Sequence, residues 1–191
     1  MNKISSHTVG VLIAALLCSC GSPKSDKAFA HRILEDRTLD QVDSMARALL
    51  TEGFNAGSGY SQVWARDLNT FIETSCEVVD PAQVRGALLI FFEMQQDNGE
   101  IIDGYVTRDQ FDWEDDRVYF SPLAPNHAGF KNTVETDQET SLIQAICKYV
   151  RKTGDASILD EVVGGISVRE RIGKSHRPAT RLEPGKRVAV L

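Results

Sequence analysis

What this chain has little of narrows the reading first. It holds four cysteines, four histidines, six prolines and fourteen glycines in 191 residues. So little glycine and proline excludes a collagenous or low-complexity chain. No C-x-x-C and no Cys/His spacing of metal-binding type is present, so no metal or other cofactor is expected. An excess of positive charge is also lacking. The formal net charge is −6, which argues against an electrostatic nucleic-acid partner. No apolar run reaches the about 20 residues that span a bilayer as a helix. Finally, 191 residues fit one domain but fall short of an eight-fold barrel or a twelve-helix toroid, which need a few hundred. With 42% hydrophobic and 25% charged residues, the composition is that of a globular protein.

The N-terminus reads as an address. Lys3 precedes nine apolar residues at 9–17, too short for a span and right for a secretory core. The run closes on Leu17-Cys18-Ser19-Cys20-Gly21. A Leu three positions before a Cys, with a small residue just before it, resembles the lipobox of bacterial lipoproteins. The resemblance implies cleavage before Cys20, lipidation of Cys20, and a membrane-anchored protein on the periplasmic or cell-surface side; the alternative is a plain signal peptide cut nearby. Residues 1–19 are then the signal and 20–27 a tether. Cys76 and Cys147 remain, either as a disulfide or as two small buried hydrophobes.

The rest reads as helices. Thr38-Leu39-Asp40-Gln41 is a capping box, followed by Leu39, Val42, Met45, Ala46 and Leu49 at helical spacing. Trp64, Leu68, Phe71, Ile72, Cys76 and Val79 predict a second helix. Asp80-Pro81 opens a third, apolar nearly all round from 84 to 94 and therefore expected to be buried on two sides. Thr136-Asp137-Gln138-Glu139 caps a fourth, Asp155 a fifth carrying Ile158, Leu159, Val162 and Val163, and Ser167-Val168-Arg169-Glu170 a sixth. Between the third and fourth lies a long acidic, aromatic insertion, about 100–134, with room for short extended segments such as Arg117–Phe120. A loop of that length in a compact domain is functional or disordered, and its aromatics favour the first.

The sixth helix meets Gly173 within about a turn. From 171 onward the chain has six Lys/Arg and one Glu. Residues 173–191 read as a basic irregular tail, either an arm for anionic surfaces or sequence foreign to the fold, as after a frameshift. The fold class expected is all-α, with a helical domain over 28–172.

The sharpest local signal is Tyr60-Ser61-Gln62-Val63-Trp64-Ala65-Arg66-Asp67, delivered to a helix start by a loop containing Gly57 and Gly59. An indole stacks on the apolar face of a sugar ring. Arg and Asp supply a donor fork and an acceptor for hydroxyls, and the helix start adds unpaired N–H groups. The bland alternative is a core Trp beside a structural Arg–Asp pair.

This segment resembles the W-x-R-D motif of the six-hairpin glycosidases. So do Gln96-Asp97-Asn98-Gly99-Glu100-Ile101 with Asp103-Gly104, and Asn132-Thr133-Val134-Glu135-Thr136-Asp137-Gln138, in the same order along about 40–170. The resemblance implies an (α/α)6 toroid. It covers the N-terminal half only, an incomplete toroid of five to six helices in hairpins. It implies Trp64, Arg66 and Asp67 as substrate contacts; Glu135 is a further candidate contact, and the alternative for Glu135 and Asp137 is a pair of first-turn acids favoured by the helix dipole. Glycoside hydrolysis needs two carboxyl groups flanking the scissile bond; Asp103 and Asp137 are the candidates here, while the family's usual acid and base come from later helices. The expected function is therefore a carbohydrate-active lipoprotein that binds an oligosaccharide or glycan without turnover by itself. The competing reading is a surface-anchored helical binding module for a glycan or protein. Asp109, Asp112, Glu114, Asp115 and Asp116 are hard-cation ligand types but lack EF-hand spacing. His127 and Lys131 are within reach of the site from the insertion, with a solvated loop as the default.

Overall fold

Local capping chemistry sets most helix boundaries in the computed structural model, which describes residues 23–55, 57, 59–111, 118–131 and 137–175. Among these residues there are six α-helices: α1 (Pro23–Glu35), α2 (Arg37–Leu50), α3 (Ala65–Val78), α4 (Pro81–Glu93), α5 (Gln138–Thr153) and α6 (Val168–Ser175). The structure is mostly helical but not all-α. Strands β1 (Val63–Trp64), β2 (Gly104–Thr107), β3 (Val118–Tyr119) and β4 (His127–Phe130) form one antiparallel sheet in the order β1-β2-β4-β3. A second, two-stranded sheet pairs β5 (Val162–Val163) with β6 (Ile166–Ser167). The described residues fall into two units that divide between Ser44 and Met45.

In the first unit the expected tether is helical from Pro23 onward, a residue type suited to a first helical turn. The start of α2 is capped by Asp36, whose Oδ1 accepts from the Thr38 N–H and hydroxyl, and not by the Thr38 box. Those two bonds hold the Asp36 carboxyl below its ordinary range. The stripe Leu39, Val42, Met45 and Leu49 exists on α2, but its members are 48–67% exposed.

The second unit holds the core. Arg66 at the start of α3 pairs with Asp137 at the start of α5, and Glu77 near the end of α3 pairs with Lys152 near the end of α5. These two helices therefore run parallel. The link at 79–80 is too short for anything but a reversal, so α4 runs back against them. Its second turn reaches the far end of α5, where Arg85 bonds Asp155 and Glu161. Leu68 and Ile72 of α3, Val84, Leu88 and Phe91 of α4, and Leu142, Ile146 and Tyr149 of α5 are buried together. Such burial contributes about 25 cal/mol per Å² of apolar surface. Leu89 and Ile90 only pack against this cluster, so α4 is less deeply covered on that side than its sequence predicts. Asp80 caps α4 as expected, accepting from the Ala82 N–H at 2.9 Å.

The insertion is the largest departure from expectation. Its ends form β2 and β4, paired over four residues each. Side chains alternate across a strand. Tyr105 accordingly joins the helical core, while Val106 joins Phe111, Ala128 and Phe130 in a satellite cluster with Trp64 on the other face. The expected fifth helix is absent too. Asp155 caps a 3₁₀ turn (Ala156–Asp160) through the Ser157 N–H. Gly164 and Gly165 then take positive φ, 57° and 87°, as a two-residue hairpin turn requires.

The box of α6 is present, Ser167 and Glu170 exchanging bonds of 2.8 and 3.3 Å. The helix passes Gly173 and ends at Ser175. It is fixed by Arg171, which is buried and donates twice to the Val163 carbonyl and once to Gln95 Oε1. Gln95 Nε2 in turn donates to Ser175 Oγ at 2.7 Å. Chain up to Ser175 is thus fitted to the fold, which places the expected break at 173 too early. Cys76 and Cys147 are both free thiols, the first half-buried and the second exposed. No helix of the described residues is long and apolar enough to cross a membrane.

One pH effect arises at Asp155. Bonds from Ser157 and Tyr149, with Arg85 nearby, hold its carboxyl below its ordinary range. A depressed folded value means that the unfolded chain takes up the proton first as pH falls. The contribution is complete above about pH 4, the unfolded value, and is lost as pH drops through the folded one. Urea midpoints should therefore separate wild type from Asp155→Asn most at pH 7, with the gap closing below about pH 4. A gap that stays constant down to pH 2 would contradict this.

Candidate functional site

Parallel packing of α3 and α5 brings two helix N-termini side by side. The chain enters α3 directly from β1. Trp64 is the last extended residue, φ −96° and ψ 136°, and is paired with Gly104 of β2. Gly104 is in turn paired with Phe130 of β4. A glycine between two aromatic neighbours lets their rings meet, and Trp64 stacks on Phe130 at 6.1 Å and 30°. A Cβ on Gly104 would lie 3.0 Å from the indole Cδ2 and 2.8 Å from the Val63 carbonyl oxygen. The indole is seated on a backbone that only glycine leaves bare.

Asp103 sits one residue before β2 with its main chain pinned on both sides. Its carbonyl accepts from the Ala65 N–H at 2.8 Å, and its N–H donates to the Phe130 carbonyl at 2.7 Å. Its side chain is 4% exposed, and the Lys131 ammonium lies 3.6 Å from its Oδ1. Lys131 Nζ is also 3.8 Å from Glu139 Oε1. The same Glu139 oxygen accepts from the Ile101 N–H at 2.9 Å. Glu139 thus ties α5 to the approach of β2.

Trp64, Arg66, Asp67 and Asp103 share one cavity of about 530 Å³ with Tyr60, Thr70 and Gln138. That volume is within the range of small-molecule sites, about 300–1,000 Å³. Asp137 is not among its lining residues. It pairs with Arg66 instead, Nε to Oδ2 at 3.2 Å, with both side chains half exposed, and it makes no cap bond to its own helix. Glu135 and Cys20 lie outside the described residues, as do Asp112, Glu114, Asp115 and Asp116. His127 is on β4, its ring edge-on to Tyr105 at 5.4 Å, and burial lowers its pKa. It is not part of the cavity wall. Lys131 is not part of the cavity wall either, but its ammonium pairs with the wall residue Asp103.

Three wall residues were not named as contacts in the sequence, although Tyr60 and Gln138 lie within its motifs. Tyr60 is carried by the glycine loop, where Asn55 Nδ2 donates to the carbonyls of Gly57 and Tyr60. Thr70 stands one turn after Arg66, to whose carbonyl its hydroxyl donates at 3.0 Å. Gln138 is the first helical residue of α5 and is buried. The signal for Thr70 was its i+4 spacing from Arg66. For Gln138 it was the place at a helix start, which becomes informative only once α5 is known to lie beside α3. No protein family, no curated protein and no solved structure matches the chain.

Proposed function

We propose that this cavity binds a sugar, in a glycosidase-like site that grips its ligand without hydrolysing it alone. The observation that carries the reading is the Trp64 indole, held against Gly104 and Phe130 and walling the same cavity as Arg66, Asp67 and Asp103. A flat apolar platform ringed by charged hydrogen-bonding groups suits a polyol with one apolar face. Two helix N-termini add backbone donors.

Support for the toroid-type reading comes from the α3–α4–α5 arrangement, two parallel helices joined through an antiparallel one, which is the repeat of a ring of helical hairpins. The chemistry favours binding over turnover. A general acid needs apolar or like-charged surroundings, whereas Asp103 faces Lys131 and Asp137 faces Arg66. We propose further that Cys20 anchors the protein to a membrane at the periplasmic or cell-surface side.

Calorimetric titration with a panel of oligosaccharides should give heat with at least one member, lost in Trp64→Ala. Chromatography of the same mixtures should show no new reducing ends. Hydrolysis abolished by Asp103→Asn would overturn the binding-only reading, and a panel with no heat at all would overturn the sugar reading.

A further inference from the structure

Exposed apolar side chains are not spread evenly over this molecule. Seven of the ten large hydrophobics that stand exposed among the described residues lie between 29 and 49, on α1 and α2. On α2, Leu39, Val42, Met45 and Leu49 recur at helical spacing and are 48–67% exposed. On α1, Phe29 and Leu34 are 57% and 85% exposed. An apolar stripe of this kind on a water-facing helix marks a surface that meets something apolar. Charge does not select the partner, because five Lys/Arg balance five Asp/Glu over residues 23–50.

The length of chain before α1 does select it. Three residues separate Cys20 from Pro23, where α1 begins, and an extended chain covers at most about 3.6 Å per residue. A lipid on Cys20 therefore holds the start of α1 within about 11 Å of the bilayer. An amphipathic helix at a membrane surface buries its apolar face to about 5–10 Å, so the tether is short enough to deliver it there. So short a tether also gives the bilayer a millimolar effective concentration, which a second copy of the chain at ordinary protein concentration does not match. We propose that α1 and α2 lie on the membrane by these apolar stripes, so that the protein is docked on the surface as well as tethered to it. This rests on the anchor proposed at Cys20. Docking leaves the cavity accessible. Arg47 of α2 pairs with Glu77 at 2.7 Å, and Glu77 is eleven residues, about 16 Å along α3, from Arg66 in the cavity wall.

The test uses the full chain, expressed in a bacterium that processes lipoproteins and carrying Cys76→Ser and Cys147→Ser, so that an introduced cysteine alone takes a label. Mass spectrometry of the Cys20 peptide first establishes the lipid. An environment-sensitive fluorophore is attached at Val42→Cys on the stripe, or at Ser44→Cys, about 200° round the same helix. The protein is reconstituted in phosphatidylcholine vesicles that carry a quencher at the headgroup boundary. Quenching should be several-fold stronger at 42 than at 44 and insensitive to salt. Leu39→Asp with Leu49→Asp should remove it while the circular dichroism stays unchanged, because these side chains are exposed. Equal quenching at both positions, with lipid present on Cys20, would overturn docking and leave the anchor in place. A label at 42 that becomes shielded only as protein density rises would give the stripe to a second copy, and would overturn docking equally. A Cys20 without lipid would overturn the anchor, and docking with it.

Discussion

Asp103→Leu lowers stability by about 3 kcal/mol, and Lys131→Met does nearly as much. Each single change leaves a charge in a place built for a pair. Asp103 is 4% exposed and Lys131 is 15% exposed, 3.6 Å apart. Breaking a buried pair from one side costs about 3–5 kcal/mol, whereas replacing both members with apolar groups of similar size is often close to neutral. The lower end of that range applies here because Glu139 remains 3.8 Å from Lys131 and keeps part of the ammonium's partnership. Asp103→Leu combined with Lys131→Met should therefore recover most of the loss. Urea denaturation of the two single variants and the double one gives the coupling directly. A coupling of about 2 kcal/mol is expected; strict additivity would mean that the contact contributes nothing.

The second large effect is at Gly104. Valine there drives a branched side chain into the indole of Trp64 and the Val63 carbonyl, where even a Cβ stands at 3.0 and 2.8 Å. Overpacking of this kind costs about 1–3 kcal/mol. The clash falls on backbone as well as on a side chain, so the upper half of that range is expected. Function should suffer more than stability, because the shortest way to relieve the clash swings the indole off Phe130. We expect Gly104→Val to remain folded by circular dichroism and to lose at least tenfold in sugar affinity. Gly86 is the control. A Cβ there meets nothing within 4 Å, and the position is inside α4, so Gly86→Ala should be neutral or stabilising by about 0.5–1 kcal/mol. Equal loss at both positions would argue that helix and sheet tolerate added volume alike and that Gly104 has no special part in seating Trp64.

Where the sequence carried its signal locally, it was legible. Asp80 before Pro81, and Ser167 three residues before Glu170, specify caps from side chains a few residues apart, and both are made. The same logic misleads where a distant group competes. Thr136-Asp137-Gln138-Glu139 has the form of a capping box, yet Glu139 turns to Ile101 and Lys131, and Asp137 turns to Arg66. Ile101 and Arg66 lie far away in the chain, and no local pattern announces them. Asp155 was legible as a cap, but the segment it opens was not. Val162-Val163 before Gly164-Gly165 fits a helix stopped by glycine, and it fits equally a strand entering a tight hairpin turn.

The sheet was hidden for another reason. Glycines at 104 and 129 interrupt the alternation that marks a strand, and those glycines exist to admit neighbours. Gly129 leaves room for Ile102 and Met94, with a Cβ there 3.1 Å from each. Half of the site was visible nonetheless. Trp64, Arg66 and Asp67 adjoin in sequence, and the fold brings Asp103 to them because β1 and β2 pair. Tyr60 and Gln138 become part of the wall only through tertiary packing, and the stripe on α2, strongly amphipathic in sequence, is exposed.

The proposed seat of a sugar ring on Trp64 can be observed directly. Two tryptophans give two indole N–H signals in a nitrogen–proton correlation spectrum, and Trp64→Phe assigns them. On titration with the sugar that gives calorimetric heat, the Trp64 indole signal should shift progressively to saturation at the calorimetric affinity. A Trp64 signal that stays in place while the heat of binding persists would show that the sugar sits elsewhere, and would contradict the account.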